Sequence, residues 1–247
     1  MYDIFLFFSL IRCGARMIAK TCFILFFFLF EIFVSQEVSA PAPVAVENEP
    51  LHHVVLKNDS VMVIHLTLPA GERTLYHTHI HDRVAIELFG GSITQQKFGD
   101  PEGPSSLSKP GHLSVLTADS PFTHRVHNVG STPFEVIDVE ILQRPQIPSP
   151  ATAAKIAGEN PMAGENPSAR VYNWVLAPGT ASPMHTHERP YLIVSATAFS
   201  LKMTAPDGQS LAERLKPGDF HWVNTKVKHT LGNAGSSEGQ ILEVELK

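Results

Sequence analysis

The chain writes one module twice, and that duplication restricts its fold more than any other feature of the 247 residues. At an offset of 108, residues 63–71 (VIHLTLPAG) lie on residues 171–179 (VYNWVLAPG), and without a gap His77 and His79 fall on His185 and His187. Lys109-Pro110-Gly111 meets Lys216-Pro217-Gly218 at an offset of 107, and residues 128–140 (NVGSTPFEVIDVE) meet 233–245 (NAGSSEGQILEVE) at 105. Self-similarity on this scale marks two copies of one structural unit, with a few loop residues gained in the first. The copies occupy residues 52–142 and 165–247. Between them, residues 143–164 read as a linker rich in proline and alanine with a tandem AGENP, allowing one helical turn at 153–157. Residues 41–51 read as a flexible lead-in.

Each copy is built from short apolar runs bounded by Gly, Pro, Asn or Asp. VMVIHLTL, VAIELF, HLSVLT and FEVIDVEIL in the first copy, and VYNWVL, YLIVSAT, FSLKM and QILEVEL in the second, have strand length and β-branched content. Nothing has the length and 3.6-residue period of a substantial helix. The expectation is all-β, as sandwiches or barrels. In a strand alternate residues share a face, so the two histidines of each His-Thr-His point the same way.

Residues 1–40 read as a signal peptide. Met17-Ile-Ala-Lys20 is followed by a short apolar core interrupted by Glu31, then by small residues at Val38-Ser39-Ala40, which suit cleavage although Pro41 is a poor neighbour. YDIFLFFSLI before it has no basic start, which points to Met17 as the initiator; an uncleaved signal anchor is the competing reading. Export to the periplasm or the exterior follows, with no stable membrane span after processing. Both cysteines, Cys13 and Cys22, lie in this leader, so the remainder has no thiol for disulfides, nucleophilic attack or metal ligation. A net charge of −5 with dispersed signs gives no basis for a nucleic-acid partner.

The thirteen histidines are in excess of what such a framework needs. Gly71-x5-His77-x-His79, a residue four further on and Gly90 seven beyond have the spacing of the first cupin motif, and Gly179-x5-His185-x-His187 repeats it. His124 with Asn128, and His229 with Asn233, match the close of the second motif. The chain resembles a bicupin of the cupin superfamily, over nearly all the sequence beyond the leader. The resemblance implies two tandem cupin (jelly-roll) β-barrels, each holding a divalent metal on two histidines, a glutamate and a third histidine. The histidine ligands become His77, His79 and His124 in the first barrel and His185, His187 and His229 in the second. Neutral imidazoles suit Zn, Fe, Mn, Ni or Cu, and their Nε atoms should converge within about 3–4 Å. A homodimer formed through the sheets is a further family expectation.

One departure is plain. Where the family places its glutamate, this sequence has Arg83 and Tyr191. Arginine cannot ligate a cation but can clamp a substrate carboxylate; tyrosine could ligate as a phenolate or donate a proton. Glu87, four residues past Arg83, has the parity to face inward, and His81 could replace one histidine in an HTHIH register. His112, His127 and His221 read as framework, and His52, His53 and His65 as ordinary strand or surface residues. The functional expectation is a metal-dependent enzyme acting on a small organic acid, as a dioxygenase, decarboxylase, lyase or isomerase, with Arg83 and Tyr191 as catalytic candidates and the second barrel dominant. The competing readings are a non-catalytic binder or sensor of a metal or small molecule, and a scaffold that retains relict histidines.

Overall fold

A computed structural model of the protein describes residues 41–144 and 162–247. The leader, its cleavage signal, Met17 and the helical turn expected at 153–157 lie outside the described residues. Among the described residues the helical content is one 3-10 turn, Val46–Asn48, as the missing 3.6-residue period required.

The first copy forms β1 (Val44–Ala45), β2 (His52–Lys57), β3 (Val61–Leu68), β4 (His77–His79), β5 (Asp82–Phe89), β6 (Ser92–Lys97), β7 (Ser106–Leu107), β8 (Leu113–Leu116), β9 (Phe122–Asn128) and β10 (Phe134–Ile141). The second forms β11 (Met162–Glu165), β12 (Ala169–Leu176), β13 (His185–His187), β14 (Tyr191–Ser195), β15 (Phe199–Thr204), β16 (Ser210–Leu215), β17 (Phe220–Val223), β18 (Val227–Asn233) and β19 (Gly239–Leu246). Barrel one closes a sheet ordered β2-β3-β10-β5-β8 over one ordered β1-β4-β9-β6-β7. Barrel two closes β11-β12-β19-β14-β17 over β13-β18-β15-β16. The architecture is therefore all-β, two tandem jelly-roll barrels.

The barrels share one hydrophobic core. Val84, Ile86, Ile137, Val139 and Ile141 of barrel one pack in a single buried cluster with Val171, Leu192, Val194, Leu242 and Val244 of barrel two. Strand parity produces this arrangement. In β10 and β19, alternate residues face the other barrel, and those between them face the barrel's own interior. The matched Lys-Pro-Gly turns serve the same contact: Gly111 (φ 75°) lies against Gln240 of β19, and Gly218 (φ 86°) against Leu88 of β5. Gln240 Nε2 donates to the Gly111 carbonyl at 3.1 Å. Polar ties close the seam, where Ser168 Oγ donates to Asp82 at 2.5 Å and Arg144 Nε donates to the same carboxylate at 3.0 Å.

Two boundaries differ from the sequence expectation. The segment expected as a flexible lead-in is part of barrel one: Val44 and Ala45 pair in parallel with His77 and Thr78, and Val46 is buried. Buried Glu49 holds it there, accepting N–H bonds from Leu51 (2.9 Å) and Leu75 (3.1 Å) and contacting His52 Nδ1 at 2.5 Å. A two-residue strand is too short to show a period, which is why the pattern missed it. The linker likewise ends earlier than expected, because β11 begins at Met162 and pairs antiparallel with β12.

Leu192 is fully buried in the shared core, so Leu192→Ala should cost about 2–5 kcal/mol. Urea unfolding followed by both tryptophan fluorescence and far-UV circular dichroism should show the loss as one transition, since the core belongs to both barrels. A second expectation concerns acid. Burial raises the Asp82 carboxyl, but hydrogen bonds from Arg144, Ser168 and the Ala118 N–H outweigh it and hold the group below its ordinary 3.8. An acid depressed in the fold adds stability above its unfolded pKa and loses it as pH falls through the folded value. Asp82→Asn should therefore be less stable than wild type at neutral pH, with the difference closing below pH 3.8 in acid-titrated melts.

Candidate metal centre

Each His-Thr-His forms a three-residue strand, β4 or β13, with both histidines buried and the threonine half-buried between them. The third histidine comes from the neighbouring strand in direct register, His124 opposite His77 and His229 opposite His185. Residues 47 positions apart in barrel one and 44 apart in barrel two thus meet across one ladder. Asn128 and Asn233, which close the sequence motif, serve the turn that follows: Asn128 Nδ2 donates to the Leu68 and Thr132 carbonyls, and Asn233 Nδ2 to those of Leu176 and Ser237.

In barrel two the three rings converge on Glu243 of β19. His187 Nε2 lies 3.0 Å and His229 Nε2 3.2 Å from its Oε1, and His185 Nε2 lies 3.1 Å from its Oε2. His185 Nδ1 donates to the Pro183 carbonyl at 2.9 Å, and His187 Nδ1 stands 3.4 Å from Glu245. Their outer nitrogens are oriented from behind, leaving Nε2 facing the centre. Trp174 donates its indole N–H to Glu243 Oε2 at 2.8 Å and stacks on His185. Burial raises the Glu243 carboxyl, but hydrogen bonds from His185 and His187 and the His229 ring close beside it carry it well below its ordinary value, so it is an anion. For His187 burial lowers the pKa, yet the hydrogen bond with Glu243 and the nearby Glu245 carboxylate raise it to about 9.

This set fits a divalent cation. Three nitrogens and a carboxylate are ordinary transition-metal donors, and ligands about 2.1 Å from one ion lie roughly 3.0–3.4 Å from one another; each Nε2 keeps that spacing from Glu243, and all four donor atoms lie within 4.8 Å of one another. His229 Nε2 is buried and, although 3.2 Å from Glu243 Oε1, is not aligned to hydrogen-bond with it, an expensive condition for a ring nitrogen that a metal would relieve. Metal and proton compete for the same electron pairs, so binding would discharge the His187 proton.

Barrel one keeps the histidines and changes the acid. His77, His79 and His124 cluster, with His79 and His124 Nε2 atoms 3.2 Å apart. His77 Nδ1 donates to the Leu75 carbonyl at 3.0 Å, and His79 Nδ1 contacts Glu140 at 2.5 Å. Asp138 stands where barrel two has Glu243, but its Oδ2 accepts a 2.8 Å bond from Arg83 Nη1. Burial lowers His77 and His79 to about 3, helped by neighbouring His52 and His79 charge at His77 and by the Arg83 charge at His79. These imidazoles are neutral. Burial and the Asp138 charge push Glu140 up to about 8. The donor set His77, His79 and His124 fits a cation less completely than that of barrel two, because no anion joins the three rings.

The two residues at the expected glutamate position take different parts. Arg83 points into barrel one and lines its cavities. Tyr191 is buried with its ring stacked 3.9 Å above His187. Burial and the charges of Glu243 and Glu245 raise its pKa, which favours the phenol over a phenolate. Glu87 is committed to Ser108, the Lys109 N–H and His112. His81 lines the barrel-one cavity beside His79. His52 corrects the sequence reading: it is buried, and its ring lies 4.4 Å from that of His77. His65, His127 and His221 pair with Glu135, Glu102 and Glu213. The sequence reading missed Asp138, Glu140, Glu243 and Glu245. Their signal was present as acids at period-two spacing in two apolar runs that the repeat had already aligned.

No protein-family model matches the chain. It is 30% identical over 83 residues to the beta-alanine degradation protein BauB of Pseudomonas aeruginosa, a match covering 34% of this chain and 86% of the relative. A solved cupin domain from Bordetella pertussis is 27% identical over 35% of this chain and 88% of its own, with a TM-score of 0.32. The chain belongs to the cupin superfamily. It is a bicupin, and the protein YhaK from Escherichia coli shares the fold over 78% of this chain and 87% of its own, with 14% identity and a TM-score of 0.54. Within the bicupin, the missing motif glutamate is answered in barrel two by Glu243, reached from the last strand.

Trp174 orients that carboxylate from behind. Trp174→Phe keeps a ring against His185 but removes the indole donor, and should weaken metal binding about 10–100-fold. Competition with a chromophoric chelator measures this; unchanged affinity would remove Trp174 from the site.

Proposed function

We propose that the protein is an exported, metal-dependent bicupin enzyme acting on a small organic acid, with its metal in barrel two on His185, His187, His229 and Glu243. The observation that carries the proposal is the convergence of three Nε2 atoms on one fully buried carboxylate. A divalent transition metal (Zn, Fe, Mn, Ni or Cu) in that set supplies a Lewis-acid centre that polarises a carbonyl or carboxyl oxygen. The residues around it do the rest. Glu243 and Glu245 hold the histidines in place, and the aromatic rings of Tyr172, Trp174 and Tyr191 exclude water from the buried side. Tyr191, held as a phenol, is a proton donor and not a base. The substrate class is in keeping with a relative named for degrading beta-alanine, itself a small acid. Among the classes open to such a site are dioxygenase, decarboxylase, lyase and isomerase, since the fold hosts many chemistries. Export rests on the basic, apolar and small-residue order of the leader.

A second reading, a non-catalytic binder or sensor, is favoured by the aromatic packing against His185 and His187, which crowds the ligands. Metal content and turnover separate the two. Protein purified without a polyhistidine tag and loaded with metal should carry about one tightly held equivalent per chain by elemental analysis. His185→Ala/His187→Ala should lose it, and Glu243→Gln should weaken it. Less than about half an equivalent in wild type would end both readings. Metal without turnover, in a screen of small acids with and without dioxygen, would favour the binder.

A further inference from the structure

The two barrels differ at a pair of interior positions that the repeat aligns, and the differences reinforce each other. Trp174 in β12 corresponds to Leu66 in β3, and Tyr191 in β14 corresponds to Arg83 in β5. In barrel two the indole holds Glu243 and the phenol ring covers His187. Leucine has no N–H to offer, so in barrel one the acid is held from the other side, by Arg83. Replacing an indole by an isobutyl group also leaves space. A cavity of about 210 Å³ opens there, with Leu66, Ile93, Phe134 and Val136 on its apolar wall and His77, His79, His124 and Arg83 among its polar residues. Two acids also line it, Asp138 held through Oδ2 by Arg83 and Glu87 held by Ser108, the Lys109 N–H and His112.

Arg83 uses one terminal nitrogen on Asp138, and its other N–H groups have no acceptor among the described residues. Its side chain is mostly buried, and it also lines a second cavity of about 230 Å³ with His79 and His81, rimmed by half-exposed Leu116 and Phe122. A guanidinium with open N–H groups, imidazoles beside it and apolar walls make a complementary pair of surfaces. One end suits an anion that accepts two parallel N–H bonds, and the other suits a hydrocarbon body. The volume is below the usual range for drug-sized ligands, which limits the occupant to a small molecule.

We propose that barrel one is a binding site for a small organic monocarboxylate with an apolar body, anchored by the unused N–H groups of Arg83 beside His77, His79 and His124, and separate from the metal centre of barrel two. The duplicated fork thus serves two ligands of opposite charge. This site goes beyond the metal reading of barrel two and stands without it, since none of its residues belongs to that centre.

The test uses benzoate as the probe and isothermal titration calorimetry on the full chain after exhaustive dialysis against a chelator. Benzoate should bind the dialysed wild type and the His185→Ala/His187→Ala variant with affinities within about threefold, and benzamide, which has no charge for Arg83, should not bind measurably. Arg83→Lys keeps a cation beside Asp138, which protects the fold, but lacks the planar fork and should weaken benzoate at least about tenfold. Leu66→Trp, which copies barrel two, should abolish binding with Arg83 intact. Thermal melts check that both variants are folded. Benzoate failing to bind the dialysed wild type, binding Arg83→Lys unweakened, or requiring His185 and His187 would each overturn the proposal. The metal reading is scored separately, because Arg83→Lys should leave the metal content of barrel two unchanged.

Discussion

Strands β10 and β19 are buried on both faces, and much else in the molecule depends on that. Their period of two has to satisfy two demands at once. Ile137, Val139 and Ile141, and likewise Leu242 and Val244, enter the core between the barrels, while Asp138, Glu140, Glu243 and Glu245 enter the barrel interiors. A slip of one residue would put carboxylates into the shared core and valines against the histidines. Burying an unpaired charge in that way is far more costly than losing an apolar contact. The register is consequently fixed by the apolar face, and the acids on the other face are positioned by it to hydrogen-bonding accuracy.

That fixed frame lets single side chains decide the character of each cup. Glu243 is turned toward the three histidines because Trp174 and the rings themselves supply donors on that side. Asp138, one methylene shorter and lacking the indole, turns to Arg83. The acid is present in both barrels, and its partner determines whether it joins the histidines. Second-layer contacts are otherwise alike: a backbone carbonyl takes the Nδ1 of His77 or His185, and a glutamate stands behind His79 or His187.

The duplication, the eight apolar runs and the six histidines were readable directly, because repeats and period-two patterns survive without knowledge of tertiary contacts. The all-β tandem barrels followed from them. Short elements were not readable: β1 covers two residues, and β7 is equally brief. The departure at Arg83 and Tyr191 was visible, but its consequence was not, since the compensating acid comes from a strand more than 50 residues further along the chain. In the sequence, Glu243 looks like the polar half of an ordinary half-exposed strand. Only the packing of one barrel on the other shows that neither face of that strand meets solvent. His52 was misjudged for a related reason, because its partner Glu49 lies in a segment whose pattern resembled a tail.

The shared core also bears on how two such different cups came to coexist. In a symmetric pair of identical barrels, every substitution appears twice, so an arginine beside one set of histidines is an arginine beside the other. Covalent fusion removes that obligation while the packing between the barrels stays as demanding as before. Leu66 and Trp174, or Arg83 and Tyr191, can then drift apart inside their own interiors without disturbing the interface, because strand parity points them away from it. The joint between the barrels holds the halves together while leaving each interior free to carry its own chemistry.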